Sequence, residues 1–220
     1  KTIVSLTKKF VSLPSTRNNP KALEKALEVA LLPLQGYTIE RFEDHGVSSA
    51  LIYHAKKRPK KFTIILNGHL DIIPGKDYQY VPHIKGRRLY GAGAMDMKAN
   101  VACLIMAFKE VANSVRYPLG LQLVTDEEVG GFNGTKYQIA KGVRADFVLA
   151  GEPTNFDIVH QAKGVLWVKI SARGQTGHSA YPWRGKNAIW AMSAFLEILR
   201  KKYPIPTHEK WITTVNVSTI

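Results

Sequence analysis

The order of apolar patterns along the chain predicts an α/β fold, a sandwich of helices on a mixed, mostly parallel sheet. Three observations carry this expectation. Strand-like runs alternate with helix-period runs as far as residue 150. One of them, "FTIILN" at 62–67, is continuously apolar, as a strand covered on both faces must be. Near residue 163 the pattern changes to clean alternation, which marks a sheet wet on one face and hence a second domain. The expected division is 1–162 and 163–220.

Each element follows from its own pattern. Helical periodicity runs over 2–12, where "SLPS" closes the helix with a proline, and again over 20–32. Strands are expected at 37–43, 48–54 and 62–67. Turn residues make 74–93 a looped region that leads into a helix over about 97–113. A strand at 119–124, a helix at 133–141 and a strand at 146–150 complete the first domain. Beyond it, "GVLWVKISARG" and "WITTVNVSTI" alternate as strands, and "NAIWAMSAFLEILRKK" between them is an amphipathic helix. That β-α-β stretch is the first half of a small domain, and the chain is expected to end inside it.

Composition narrows the function classes. With 45% hydrophobic and 22% charged residues among 220, the chain can bury a substantial core. No apolar run approaches the roughly 18 residues that span a bilayer. The lysine-dotted start lacks the apolar block of a signal peptide, so a cytoplasmic protein with no membrane partner is expected. The net charge of +14 raises the question of nucleic acid. However, "KKRPKK", "KGRR" and "RKK" fall in different elements without interleaved aromatics, so no nucleic-acid partner is expected, and anionic small substrates are the better match. The single cysteine, Cys103, among helix-period apolar residues, reads as a buried structural thiol.

The chemistry lies just beyond the strand ends. "NGHLDIIP" places His69 and Asp71 two apart, on one side of an extended segment. "YGAGAMDMKAN" sets Asp96 in a glycine-rich turn at a helix start, "TDEEVGG" supplies Asp126, Glu127 and Glu128, and "AGEPTN" supplies Glu152. Taken singly, each motif has a plainer reading: a structural His–Asp pair, an N-cap, a solvated acidic turn, a simple turn. Together they gather six of the 17 acidic residues where sites of α/β sheets form. Such a concentration raises carboxyl pKa values and costs several kcal/mol unless a positive group is present. A metal ion supplies that charge. One imidazole with several carboxylates suits zinc, or manganese or cobalt, better than calcium. Asp71 fits as the acceptor for the second N–H of His69.

The series "GHLDIIP", "LYGAGAMDMKANVA", "TDEEVGG", "GEPTN" and "GQTGHSAYPWRGKNAI" resembles the co-catalytic zinc hydrolases. These include acetylornithine deacetylase, succinyl-diaminopimelate desuccinylase, aminoacylase and glutamate carboxypeptidases. The resemblance implies that His69, Asp96 and Glu152 hold one zinc, and that Asp96 bridges to a second held by Glu128. It implies that Glu127 takes a proton from the metal-bridging water and passes it to the leaving amine. It also implies that the second domain is an α+β (ferredoxin-like) lid and homodimer contact whose His178 stabilises the oxyanion, and that the bond after Asp96 is cis. The implied activity is cleavage of an N-acyl amino acid, of deacetylase or desuccinylase type. The alternatives are a dipeptidase or carboxypeptidase on the same centre, or a truncated, non-catalytic binding or dimerisation module. Two departures stand out. The family pattern "GRGAxDMKG" reads "GAGAMDMKA" here, and the histidine that completes the second zinc site after the lid is not among the 220 residues. The chain by itself is therefore expected to form one near-complete metal site and one deficient one.

Overall fold

The computed structural model describes residues 2–218 and divides into two compact units, Lys1–Val159 and His160–Ile220. In the first, helix α1 (Thr2–Val11) buries Leu6, Phe10 and Val11. Helix α2 (Pro20–Leu31) has proline in its first turn and is capped by Asn19, whose side chain accepts the Ala22 N–H. A hairpin follows, strands β1 (Thr38–Asp44) and β2 (Val47–Tyr53), turned at His45-Gly46 with both residues at positive φ. Strand β3 (Phe62–His69) is the continuous apolar run. The expected loop over 74–93 contains a small ribbon, β4 (His83–Lys85) against β5 (Arg88–Tyr90), which three-residue strands leave no periodicity to reveal. Helix α3 (Ala99–Val111), strand β6 (Leu119–Val124), helix α4 (Thr135–Ala140) and strand β7 (Ala145–Ala150) complete the unit.

The sheet order is β1-β2-β6-β3-β7. Pairings β1–β2 and β2–β6 are antiparallel, whereas β6–β3 and β3–β7 are parallel. The sheet is thus mixed in equal parts rather than mostly parallel, because the tight turn at His45-Gly46 forces an antiparallel pair at one edge. Alternation along each strand sorts side chains to two faces. Ala50, Ile52, Leu119, Leu121 and Leu123 pack with α1, α2 and α3, including Phe10, Leu27, Leu31, Ile105 and Phe108. Leu51, Tyr53, Phe62 and Ile65 form the opposite core with Val143 and Tyr137 of the α4 region. A polar chain crosses that second layer: Asn67 donates to Gln122, Gln122 to Gln138, and Gln138 to Ser49. Cys103 is exposed, contrary to the buried thiol expected, because the inward stripe of α3 is Val101, Ala102, Leu104, Ile105 and Phe108.

The second unit carries one regular helix, α5 (Ala188–Lys202). Asn187 caps it, accepting N–H groups of Ile189 and Trp190, and Arg200, Lys201 and Lys202 fill its last turn. The expected strands over 164–174 and 211–220 are not formed among the described residues, and the last two positions of the second lie outside them. An alternating pattern becomes a strand only through a hydrogen-bonded ladder. Among the described residues of this unit the one bridge is Gln175 with Lys186. Lys163 Nζ instead donates to the carbonyls of Lys210 and Ile212. Among the described residues no helix is long and apolar enough to cross a membrane.

Candidate metal centre

Strands β3, β6 and β7 run parallel, so their carboxyl ends lie along one edge of the sheet. His69 is the last residue of β3, Asp126 to Glu128 follow β6, and Glu152 follows β7. Asp96 arrives on the crossover from β3 to β6, in the turn Ala94–Lys98 that opens α3. The fold therefore brings six of the seven expected site residues to one edge. The seventh, His178, belongs to the second unit, where its Nδ1 accepts the Ala180 N–H. Close packing sets the edge. A Cβ on Gly68 would stand 2.9 Å from Val101, so glycine next to His69 lets α3 lie against the strand end.

His69 is the hub. Its imidazole is 1% exposed, and Nε2 lies 3.2 Å from Asp96 Oδ1, 3.7 Å from Glu152 Oε1 and 3.8 Å from Glu127 Oε2. On the other side Nδ1 meets the main-chain oxygen of Asp71 at 3.0 Å, with the Asp71 carboxylate at 3.4 Å. Burial alone would pull this imidazole down. The hydrogen bonds to Asp71 and Glu152, with their charges, outweigh it and push His69 up to about 11.

The Asp71 carboxylate has a further task beside the one expected. Its Oδ1 accepts the N–H of Glu127 at 3.1 Å and its Oδ2 the N–H of Glu128 at 2.9 Å. It grips the backbone of both glutamates at once, while its own carbonyl orients His69. Gly130 and Gly131 follow at positive φ, closing the turn in a conformation that side chains disfavour. Burial raises the Glu127 and Glu128 carboxyls; His69 opposes this, and neighbouring carboxylates, including Asp71 and Asp96, add to it.

Two sets of three ligand atoms converge, each within 4.8 Å: His69 with Glu127 and Glu152, and His69 with Asp96 and Glu128. Both share the histidine, and Glu127 stands in one of them beside Glu152. The donors, one imidazole and four carboxylates, are those of a zinc-type rather than a calcium site. A divalent cation here would offset both the burial and the neighbouring charges that raise Glu127 and Glu128, so the residues fit the ion they imply. The bond Asp96-Met97 is cis.

Sequence reasoning passed over two residues that hold this edge together. Lys98 is wholly buried, and its Nζ donates to the carbonyls of Phe10 and Leu13 at the end of α1. Burial pulls its amine down to about 7, with the Asp71 charge opposing. Asn100 Nδ2 donates to the Gly151 carbonyl, anchoring the residue before Glu152. The signal for Lys98 was its place directly after the "DM" of the Asp96 motif; Asn100 carried none.

Known proteins resemble this chain in sequence and in fold. A probable carboxypeptidase of Paracoccidioides brasiliensis is 32% identical over 254 aligned residues, covering 99% of this chain and 55% of that protein. The succinyl-diaminopimelate desuccinylase of Methylibium petroleiphilum is 32% identical, covering 78% and 50% respectively. The chain thus spans about half the length of these curated relatives. Among solved structures, the M20 family metallo-carboxypeptidase Sso-CP2 from Sulfolobus solfataricus matches with a TM-score of 0.57 at 18% identity, over 69% of this chain and 37% of that one. Aminopeptidase PepT from Bacillus cereus matches at 0.54 and 20% identity, over 93% and 57%. Both share the fold. The family model described as peptidase family M20/M25/M40 matches residues 65–218, and on that match, which takes in most of its length, the chain belongs to this family.

Proposed function

We propose that the protein is a divalent-metal hydrolase that cleaves the amide bond of a small N-acyl amino acid, in the manner of a deacetylase or desuccinylase. The observation that carries this reading is the convergence on His69 Nε2 of Asp96, Glu152 and Glu127 within 3.2–3.8 Å, at the ends of parallel strands. His69, Asp96 and Glu152 would hold one ion, and Asp96 with Glu128 the other. Bound zinc, or cobalt or manganese in its place, supplies the charge that acidifies a water and polarises the scissile carbonyl.

The chain's own residues do the rest. Glu127, its carboxyl raised mainly by burial, takes a proton from the attacking water and returns it to the leaving amine nitrogen. Asp71 aims it, because the carboxylate that grips the Glu127 and Glu128 amides leaves their backbone no freedom to turn away. The Nδ1–H of His69 rests on the Asp71 carbonyl, which leaves Nε2 as the ligating atom. His178 is assigned stabilisation of the oxyanion, and its unit the lid and the homodimer contact. The net charge of +14 favours anionic solutes of the cytoplasm as substrates.

A second reading, a dipeptidase or carboxypeptidase on the same centre, is favoured by the carboxypeptidase relative that aligns over 99% of the chain. One experiment tests both. The whole protein is analysed for bound metal and assayed on N-acetyl and N-succinyl amino acids and on dipeptides, before and after EDTA and zinc restoration. Preference for acyl amino acids supports the first reading and preference for dipeptides the second. Turnover indifferent to EDTA, or no bound cation, would sink both.

A further inference from the structure

We infer that Asp126, the acidic residue directly before the two glutamates, is a positioning residue for Glu127 and Glu128, locking their turn together with Asp71. The inference rests on the metal-hydrolase reading above for its consequence, but its geometry stands by itself.

The turn Glu127–Val129 is a single 3-10 turn with no fully buried side chain, so packing holds it only weakly. It also runs into Gly130 and Gly131, the most permissive backbone available. Yet it must present two adjacent carboxylates to different parts of one centre. What holds it is hydrogen bonding from buried carboxylates at either end. Asp71 takes the amides of Glu127 and Glu128. Asp126 is only 3% exposed, and its Oδ2 reaches across the loop to the amides of Asn133 at 2.8 Å and Gly134 at 3.0 Å. Its main-chain oxygen accepts from Val129 and Gly131. Residues 126–134 are thereby closed into a ring anchored on α4, with the glutamates on its rim.

The fit is tight. Asp126 Oδ1 is buried and has no hydrogen-bond partner among the described residues. A Cβ at Gly134 would overlap that oxygen, so the loop tolerates the carboxylate there only because residue 134 is glycine. A surface acid following a strand would show none of this. Asp126 touches no expected ligand position, so it acts through the backbone that carries Glu127 and Glu128.

The test uses the whole protein, first metal-free and then titrated with Co²⁺. Asp126→Leu should speed hydrogen exchange at the Glu127 and Glu128 amides at least ~10-fold without altering β6. It should also weaken Co²⁺ binding by about 10–100-fold, the range typical of residues that support ligands. Asp126→Asn keeps one oxygen for the two amides and should restore both readouts to within about threefold. Should the leucine variant fail to fold, Gly134→Ala crowds the same oxygen and should move both readouts in the same direction. Wild-type exchange and wild-type Co²⁺ affinity in whichever of these two variants is folded would overturn the inference. A wild-type protein that binds no Co²⁺, while Asp126→Leu still loosens the two amides, would overturn the metal reading and leave the positioning role standing.

Discussion

Replacing Asp71 with Asn tests the core of the site directly, since one carboxylate there serves two amides and a histidine. The wild-type oxygens accept from Glu127 and Glu128 at 3.1 and 2.9 Å. Hydrogen bonds to a charged acceptor contribute about 1.5–3 kcal/mol each. Asparagine keeps one of them as a neutral bond of about 1 kcal/mol and turns an NH₂ toward the other amide, where two donors face each other. The expected loss is roughly 2–5 kcal/mol. For a protein of this size that lowers Tm by about 4–20 °C.

The same substitution has a second, independent signature at His69. Among the upward influences on that imidazole, the Asp71 hydrogen bond stands first, and it acts against burial. Removing it lets burial draw the pKa down from about 11. The sign follows from linkage. A raised folded-state pKa contributes stability that is complete below the unfolded value of roughly 6.5 and is lost as pH rises through the folded value. In the variant the contribution is smaller and its loss is complete at a lower pH. The assays are thermal unfolding of metal-free protein from pH 6 to 11 and ¹⁵N NMR of the imidazole nitrogens over the same range. An Asp71→Asn protein with the wild-type Tm and the wild-type His69 titration would refute the double role assigned to Asp71.

Four further outcomes are expected. Asp96→Ala should empty both metal positions and Glu128→Ala only one, read as zinc per protein by atomic absorption; full zinc in Asp96→Ala would end the bridging assignment. Glu127→Gln should keep metal while turnover falls about 10²–10⁴-fold, as for a general base; unchanged turnover with lost zinc would reverse the roles of the two glutamates. Zinc binding near pH 7 should release at least one proton, because His69 is held protonated up to about 11 and must be neutral to ligate; calorimetry in buffers of different ionisation enthalpy measures this. Gly68→Ala should destabilise by about 1–3 kcal/mol, since its new methyl meets Val101 at 2.9 Å and Met97 at 3.2 Å; a denaturation midpoint equal to wild type would show that α3 can yield.

Much of the first unit was legible in the sequence. The runs that became β3, β6 and β7 are short, apolar and each followed at once by an acidic or histidine motif. A buried strand cannot hold such groups, so they had to stand at its end. That argument depends only on local pattern, which is why it survives into the fold. Cys103 failed the same kind of reasoning because one residue in a helical stripe shifts face with a rotation of the helix, and the packing of Val101, Leu104 and Ile105 decided the rotation.

By itself the sequence determined the helices and the five main-sheet strands of the first unit, the strand-end placement of His69, Glu127, Glu128 and Glu152, the place of Asp96 at a helix start, and the family they resemble. Tertiary structure alone decided the rest. The sheet order follows from the hairpin and two crossovers, and local periodicity has no access to it. The alternating stretch at 164–174 and the described part of that at 211–220 stayed without ladders, because a strand exists only through hydrogen bonds to a neighbour that its own sequence does not contain. Asp71 was read as the partner of the His69 side chain two residues away, yet its carboxylate reaches amides more than fifty positions on. Lys98 likewise finds its acceptors at the end of a helix more than eighty residues before it. A buried charge takes whatever partners the packed chain brings to it, and that choice is made in three dimensions.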